Sequence, residues 1–216
     1  MTTLDLFGDS ATGEHIRMGP SAFVLRGFAL PRVEELLSAI ADIEAVSPFR
    51  HMTTPGGFTM SAALTNCGAL GWTSDRRAYR YSGIDPLHGR AWPPMPHVFT
   101  SLACEAAKAA GFPKFEPDAC LINRYLPGSR LSLHQDKNER DFGAPIVSVS
   151  LGMTATFLFG GLARSDKSGK VLLHHGDIAV WGGEDRLRYH GIMPLGDHPH
   201  PRLGRQRINL TFRKAG

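Results

Sequence analysis

Two histidine-x-aspartate triplets stand in the chain, His134-Gln135-Asp136 and His175-Gly176-Asp177. Imidazole nitrogens and carboxylate oxygens are donors to a divalent transition metal, but a triplet this short arises by chance and carries little alone. Their surroundings differ. His175-Gly176-Asp177 stands just before the apolar run Ile178–Trp181, where Gly-Asp is an ordinary turn dipeptide. His134 and Asp136 lie two apart, so on an extended segment they point the same way and can share one ion. A third donor must come from elsewhere, and His190 follows far enough on for an antiparallel sheet to return it beside them. Two histidines and one carboxylate make a facial triad, which leaves open positions on ferrous iron for a chelating co-substrate and dioxygen. The plainer reading of His134 is a surface histidine beside Asp136, Lys137 and Glu139.

The segment Arg207-Ile208-Asn209-Leu210-Thr211-Phe212-Arg213 alternates strictly. On a strand, period two gathers both arginines, Asn209 and Thr211 on one face and packs Ile208, Leu210 and Phe212 behind. An ordinary amphipathic strand with a solvated face would read the same way. A dicarboxylate suits two arginines, because each guanidinium fork holds one carboxylate bidentately. The two lie about 20 Å apart along an extended strand, so gripping one small anion needs curvature or one arginine acting from the margin. Ala119–Tyr125 likewise puts Leu121, Asn123 and Tyr125 on one face.

These residues need a scaffold that returns distant strands to one place. Two helices are predicted by three- and four-residue apolar spacing. Pro31–Val46 carries Val33, Leu36, Leu37, Ile40 and Ile43, with Pro31 suited to the first turn; Pro96–Ala110 ends before Gly111, which fits the C′ position. After residue 117 come short β-branched or aromatic runs: Ala119–Tyr125, Ile146–Leu151, Thr154–Phe159, Val171–His174, Ile178–Trp181 and Arg207–Phe212. Short strands with few helices among them indicate a sandwich or barrel, so the expected class is α+β, helices first and an antiparallel β core after. Between the helices, Ser47–Pro94 has no clear period, and a stretch that long is commonly functional. Here Arg76, Arg77 and Arg80 interleave with Trp72, Tyr79 and Tyr81. The net charge of +4 permits a nucleic-acid partner without demanding one. Three cysteines without a CxxC pair read as free thiols in a reducing cytoplasm, and the absence of a basic-then-apolar leader or a long apolar run argues against secretion or membrane insertion. A cytoplasmic monomer is the expectation.

The combination of Asn123-Arg124-Tyr125, His134-Gln135-Asp136-Lys137, His190-Gly191 and the 207–213 strand resembles the bacterial AlkB family. So do Ser47-Pro48-Phe49-Arg50, Thr54-Pro55-Gly56-Gly57, Thr65-Asn66-Cys67-Gly68, Asp118–Tyr125, Ala144–Leu151 and Val180-Trp181-Gly182-Gly183. The resemblance runs through nearly the whole chain. It implies a single dioxygenase domain over 1–216, with a double-stranded β-helix (jelly-roll) core at 117–216 and a nucleotide-recognition lid at 47–94. It implies an iron(II)- and 2-oxoglutarate-dependent oxidative demethylase that uses O2 to repair N1-methyladenine and N3-methylcytosine in single-stranded DNA, and in RNA as a further substrate, releasing formaldehyde, succinate and CO2. By the same resemblance His134, Asp136 and His190 hold iron; Asn123, Tyr125, Arg207, Asn209 and Arg213 hold 2-oxoglutarate; and Thr54, Trp72, Arg76, Tyr79 and Arg164 meet the nucleotide, with Trp72 opposite His134 sandwiching an extruded base.

One position departs from that pattern. Family members often carry an aspartate two residues after the iron-binding one, near the base; here it is Asn138, a neutral amide with less pull on a cationic base. Glu139 follows, and an extended chain points it the other way. Leu4-Asp5-Leu6-Phe7 is similar to the apolar end of sliding-clamp-binding peptides but lacks their leading glutamine. An alternative within the same chemistry is a hydroxylase of a protein or small molecule, against which the aromatic and basic lid argues. A jelly roll that binds nucleic acid without turnover is the other, and the complete ligand set argues against that.

Overall fold

A computed structural model describes residues 13–216. Its chain order is β1 (His15–Gly19), β2 (Ala22–Leu25), α1 (Val33–Val46), β3 (Ala63–Gly68), β4 (Gly71–Ser74), β5 (Tyr79–Ser82), β6 (Ile84–Asp85), β7 (Arg90–Ala91) and α2 (His97–Ala109). There follow β8 (Ala119–Tyr125), β9 (Leu131–His134), β10 (Ile146–Gly152), β11 (Ala155–Phe159), β12 (Gly169–Leu173), β13 (Ile178–Trp181), β14 (His190–Ile192) and β15 (Arg207–Arg213). Seven strands form the major sheet, in the order β1-β2-β13-β10-β15-β8-β3, and four form the minor sheet, β12-β11-β14-β9. All described pairings are antiparallel.

Both predicted helices form, and both bury the expected stripe. α1 buries Val33, Leu36, Ile40 and Ile43, and α2 buries Phe99, Leu102, Ala103, Ala106 and Ala107. Pro31 sits in a short 3₁₀ turn that leads into α1. Gly111, at φ +93°, ends α2 in the left-handed region, and the amide of Phe112 bonds back to the Ala107 carbonyl (2.8 Å). The helices cover one face of the major sheet, where Phe99 meets Phe212 edge-on at 5.8 Å. A second apolar cluster lies between the sheets and includes Tyr125, Met153, Phe157, Phe159, Trp181 and Ile192.

β15 is where the two layers meet. Ile208, Leu210 and Phe212 join the helix-side core, so Arg207, Asn209, Thr211 and Arg213 face the other layer, and all four are buried. Burying that many polar groups costs several kcal/mol unless partners meet them. Their partners define the site.

The order of elements differs from the expectation of helices first. β1 and β2 precede α1 and extend the major sheet beyond β13; too few residues separate them for their alternation to show. Inside the segment 47–94, β3 is a buried strand of the major sheet paired with β8 in register (Cys67 opposite Cys120), so that segment supplies core as well as covering. The hairpin β4–β5 projects from it.

Candidate active site

The minor sheet brings the first two metal donors together. His134 ends β9, His190 begins β14, and the antiparallel register sets them directly opposite, with ring centroids 4.4 Å apart. Gly191 is required at this crossing, since a Cβ there would come within 2.6 Å of the Leu131 carbonyl oxygen. Asp136 lies two residues past the end of β9. Its Oδ1 is 3.5 Å from Nε2 of His134 and its Oδ2 is 3.8 Å from Nε2 of His190. One donor atom from each residue falls within 4.8 Å of the others.

Each imidazole is fixed by its own strand. Nδ1 of His134 donates to the Ser132 carbonyl (2.9 Å) and Nδ1 of His190 to the Arg188 carbonyl (3.0 Å). That leaves both Nε2 lone pairs aimed at the shared space, the tautomer that a metal needs. Burial, and then the neighbouring His134, push the His190 pKa down to about 3, so the ring is neutral at ordinary pH. Burial alone would raise the pKa of Asp136, but Arg213 and the two histidines outweigh it and hold the carboxyl well below the usual range. The set is two imidazole nitrogens, that of His190 neutral, and one ionised oxygen, which suits a divalent iron ion.

The intersheet wall beside it carries a buried cation with donors to spare. Arg207 is 1% exposed, lies opposite Tyr125 on β8, and has its guanidinium carbon 5.1 Å from the centre of that ring. Its Nη2 donates to Ser150 Oγ (2.9 Å), while Nε and Nη1 have no hydrogen-bond partner among the described residues. Buried polar groups are ordinarily hydrogen-bonded, so two idle guanidinium N–H groups are what a carboxylate ligand would satisfy. The indole N–H of Trp181, also buried, likewise has no partner among the described residues, and its ring lies 4.8 Å from that of His190.

The arginine pair does not act as one symmetrical clamp. Arg213 commits Nε and Nη2 to Asp136 Oδ2 (2.8 and 2.6 Å), so it braces the metal carboxylate, whereas among the described residues Arg207 keeps two fully buried N–H groups unmet. Asn209 spends its amide on Ser148 Oγ and the Val149 carbonyl (both 2.8 Å) and accepts from Thr211 (3.0 Å). Asn123 is buried opposite it.

Over the opening stands the β4–β5 hairpin. Trp72 and Tyr79 stack, with centroids 5.4 Å apart and planes 17° apart. The indole N–H of Trp72 donates to Asn138 Oδ1 (3.3 Å), which ties the aromatic platform to the loop after Asp136. A cleft of about 370 Å³ lies on the flank of the hairpin, between Leu70, Tyr79, Tyr81, Asn138, Arg140 and the C-terminal Ala215-Gly216, and no metal donor lines it. Arg76 is exposed at the hairpin turn, and Arg80 is paired with Asp75 (2.7 Å). Thr54 caps its own turn, its hydroxyl accepting from the Phe58 amide (3.1 Å). Arg164 is exposed on the connection between β11 and β12.

Glu139 turns inward as the extended chain requires, and sequence reasoning gave it no role. It is buried, accepts from the Tyr81 hydroxyl (2.6 Å) and pairs with Arg186 (3.2 Å). Nothing in the sequence marks Arg186 or Tyr81 as its partners, since all three sit far apart along the chain. The rival triplet is structural: Asp177 forms a buried ion pair with Arg26 and accepts from the Gly27 and His174 amides (2.9 and 2.8 Å). His175 accepts from the Gly152 amide (2.9 Å).

The pattern of the 2OG-Fe(II) oxygenase superfamily matches residues 21–213. The chain is 58% identical over 212 residues to the alpha-ketoglutarate-dependent dioxygenase AlkB of Salmonella typhimurium, covering 98% of both chains. Against the AlkB of Escherichia coli the identity is 56% over 213 residues, covering 99% of this chain and 98% of the relative. The chain belongs to the AlkB family of 2OG-Fe(II) oxygenases. The solved structure of OsALKBH1 superposes with a TM-score of 0.80 at 28% identity, covering 93% of this chain and all of that one. An AlkB-family member requires iron(II), 2-oxoglutarate and O2, and the donors just described fit the metal and the co-substrate: N, N, O for the iron and an unmet buried guanidinium for a carboxylate.

Proposed function

We propose that this AlkB-family chain removes N-linked methyl groups from nucleobases, N1-methyladenine and N3-methylcytosine first, in single-stranded or damaged DNA and in RNA. The observation that carries this reading is a stacked Trp72–Tyr79 platform, flanked by exposed arginine, tied directly to the loop that follows the metal carboxylate. An indole face attracts a cationic methylated base, and a base that cannot pair normally costs less to extrude. A hydroxylase of a protein or small metabolite has no use for that platform.

In this reading His134, Asp136 and His190 hold iron, and Arg207 and Arg213, with Tyr125, Asn123 and Asn209 around them, hold 2-oxoglutarate. Arg213 keeps Asp136 ionised and oriented. Thr54, Trp72, Arg76, Tyr79, Asn138 and Arg164 receive the nucleotide. When bound, iron with 2-oxoglutarate supplies the oxidising power: one oxygen atom of O2 goes into succinate as CO2 leaves, and the other goes into the N–CH3 group. The resulting N–CH2OH group loses formaldehyde and returns N–H. The chain's own contribution is placement and exclusion of water. Neutral His190 takes no proton from the chemistry, the hairpin closes over the base, and Arg207 would offer its unmet N–H groups to a carboxylate of the co-substrate.

The whole chain acts as one domain, with 47–94 as the substrate-facing segment, and works as a cytoplasmic monomer. No helix among the described residues is long and apolar enough to cross a membrane. Leu4–Phe7, the candidate clamp-binding peptide, lies outside the described residues; a pull-down with sliding clamp that is insensitive to Leu6→Ala and Phe7→Ala ends that idea. The deciding assay incubates the protein with iron(II), 2-oxoglutarate, ascorbate and a methylated oligonucleotide, and measures formaldehyde and restored base. Succinate without either product, on every methylated base tried, overturns the reading.

A further inference from the structure

Two cross-strand neighbours of the hairpin, Trp72 and Tyr81, reach consecutive residues of the loop after Asp136: Trp72 holds Asn138 and Tyr81 holds Glu139. Glu139 in turn touches both cations that fix Asp136. Arg186 donates to Glu139 Oε2 (3.2 Å) and, through Nη1, to the Asp136 main-chain carbonyl (2.7 Å). Arg213 lies with Nε 2.8 Å from Asp136 Oδ2 and 3.4 Å from Glu139 Oε1. The oxygen that competes for Arg213 is the one occupied by the Tyr81 hydroxyl, at 2.6 Å.

That shared oxygen gives the arrangement a direction. While Tyr81 donates to Oε1, one lone pair of Glu139 is spent and Arg213 leans to Asp136. If the hairpin lifts, Oε1 is left buried without its hydroxyl donor, and a buried carboxylate takes the nearest available N–H. That N–H is Arg213 Nε, and Asp136 loses part of its brace. We propose that Tyr81 and Glu139 are positioning residues: seating of the nucleotide on the hairpin is transmitted through Tyr81–Glu139–Arg213 to the Asp136 carboxylate, so that 2-oxoglutarate is consumed chiefly when a base is in place. The proposal rests on the nucleotide reading of the hairpin but names a different property of it, the dependence of co-substrate oxidation on lid closure.

Two substitutions have opposite expected effects. Tyr81→Phe keeps the ring and removes the donor, so Glu139 competes with Asp136 for Arg213 even when the hairpin is down. Glu139→Gln keeps an acceptor for Tyr81 but removes the charge that pulls Arg213 away. Succinate formation is measured with and without methylated oligonucleotide; without it, ascorbate supplies the two electrons and protons that reduce the second oxygen atom to water. Tyr81→Phe is expected to lose most of the oligonucleotide stimulation, at least three-fold, while binding of the oligonucleotide to metal-free protein, read by tryptophan fluorescence, stays within two-fold. Glu139→Gln is expected to raise the oligonucleotide-free rate several-fold, and the double variant should behave as Glu139→Gln does. A readout without turnover is the visible absorption of the anaerobic iron(II)–2-oxoglutarate complex, which should shift on adding oligonucleotide in the unmodified protein and in neither variant.

Retained stimulation in Tyr81→Phe, or a double variant as poor as Tyr81→Phe, overturns the proposal. Should Tyr81→Phe fail to fold, the oligonucleotide-free rate and the absorption of Glu139→Gln decide alone, and unchanged values overturn it. Failure of the demethylation reading looks different: the unmodified protein then makes no formaldehyde, whatever its succinate rate does.

Discussion

At the scale of single residues, His134, Asp136 and His190 converge, while the equally spaced His175 and Asp177 are consumed by backbone amides and Arg26. His134→Ala or Asp136→Ala is therefore expected to abolish turnover and iron binding, since one lost ligand of three spoils affinity and geometry together. His175→Ala should leave bound iron, measured by metal analysis after desalting, unchanged. Loss of iron in His175→Ala with retention in His134→Ala would mean the wrong triplet has been chosen. Asn138 offers a second residue-scale test. Its side-chain oxygen already accepts from Trp72, so Asn138→Asp keeps that bond and adds a charge beside the base. At a partly wet site this is worth on the order of 1 kcal/mol, a few-fold in kcat/KM, in favour of cationic lesions over neutral etheno adducts. An unmoved ratio between the two substrate classes removes Asn138 from lesion choice.

At the scale of elements, the hairpin carries the basic side chains and the sheets carry the chemistry, so the two can be perturbed apart. Binding to single strands should weaken with salt at a slope near −0.7 per phosphate neutralised, and Arg76→Ala should flatten that slope without touching iron affinity; a salt-independent interaction would point away from nucleic acid. This scale is also where sequence and structure part. The long regular elements were legible: α1, α2, β8, β13 and β15 fall where periodicity puts them, because each buries one face against a continuous layer. β9 and β14 were not, although they carry two metal donors, because three or four residues are too few for alternation to be seen. β3 was hidden for another reason. Buried on both faces, it has no polar side to alternate with. Of the site, the polar face of β15 could be read from alternation and the triad only as a candidate that the family resemblance then assigned, whereas the Tyr81–Glu139–Arg186 contacts could not be read, since they join three separate loops and strands.

At the scale of the whole molecule, the site makes folding depend on pH. His190, held near 3 against an ordinary 6.5, takes up a proton in the unfolded chain long before it does so in the folded one. Where the unfolded state binds more protons, stability rises with pH. The metal-free protein should therefore lose stability as pH falls from about 6.5 towards 3, by at most about 1.4 kcal/mol per pH unit from this group. The depressed carboxyl of Asp136 adds to the loss in the same direction, below its ordinary 3.8. Thermal melts of metal-free protein across that range check this, and His190→Asn should shallow the dependence; an unaltered slope in the variant would place the cause elsewhere.

The idle donors of Arg207 have a thermodynamic consequence. A guanidinium sealed between two sheets with Nε and Nη1 unmet is a liability whenever its ligand is away, because desolvation is uncompensated. The ligand-free molecule thus holds back part of its stability, and ligand binding returns it by mass action. Arg207→Met should be more stable than the unmodified protein when both are ligand-free, by on the order of 1–3 kcal/mol, and 2-oxoglutarate added to protein already loaded with a redox-inert divalent metal should raise the melting temperature further only in the unmodified protein. If the variant melts lower and the co-substrate still stabilises it, the strand that binds the ligand is also the strand that needs the arginine, and activity and robustness are not in competition there.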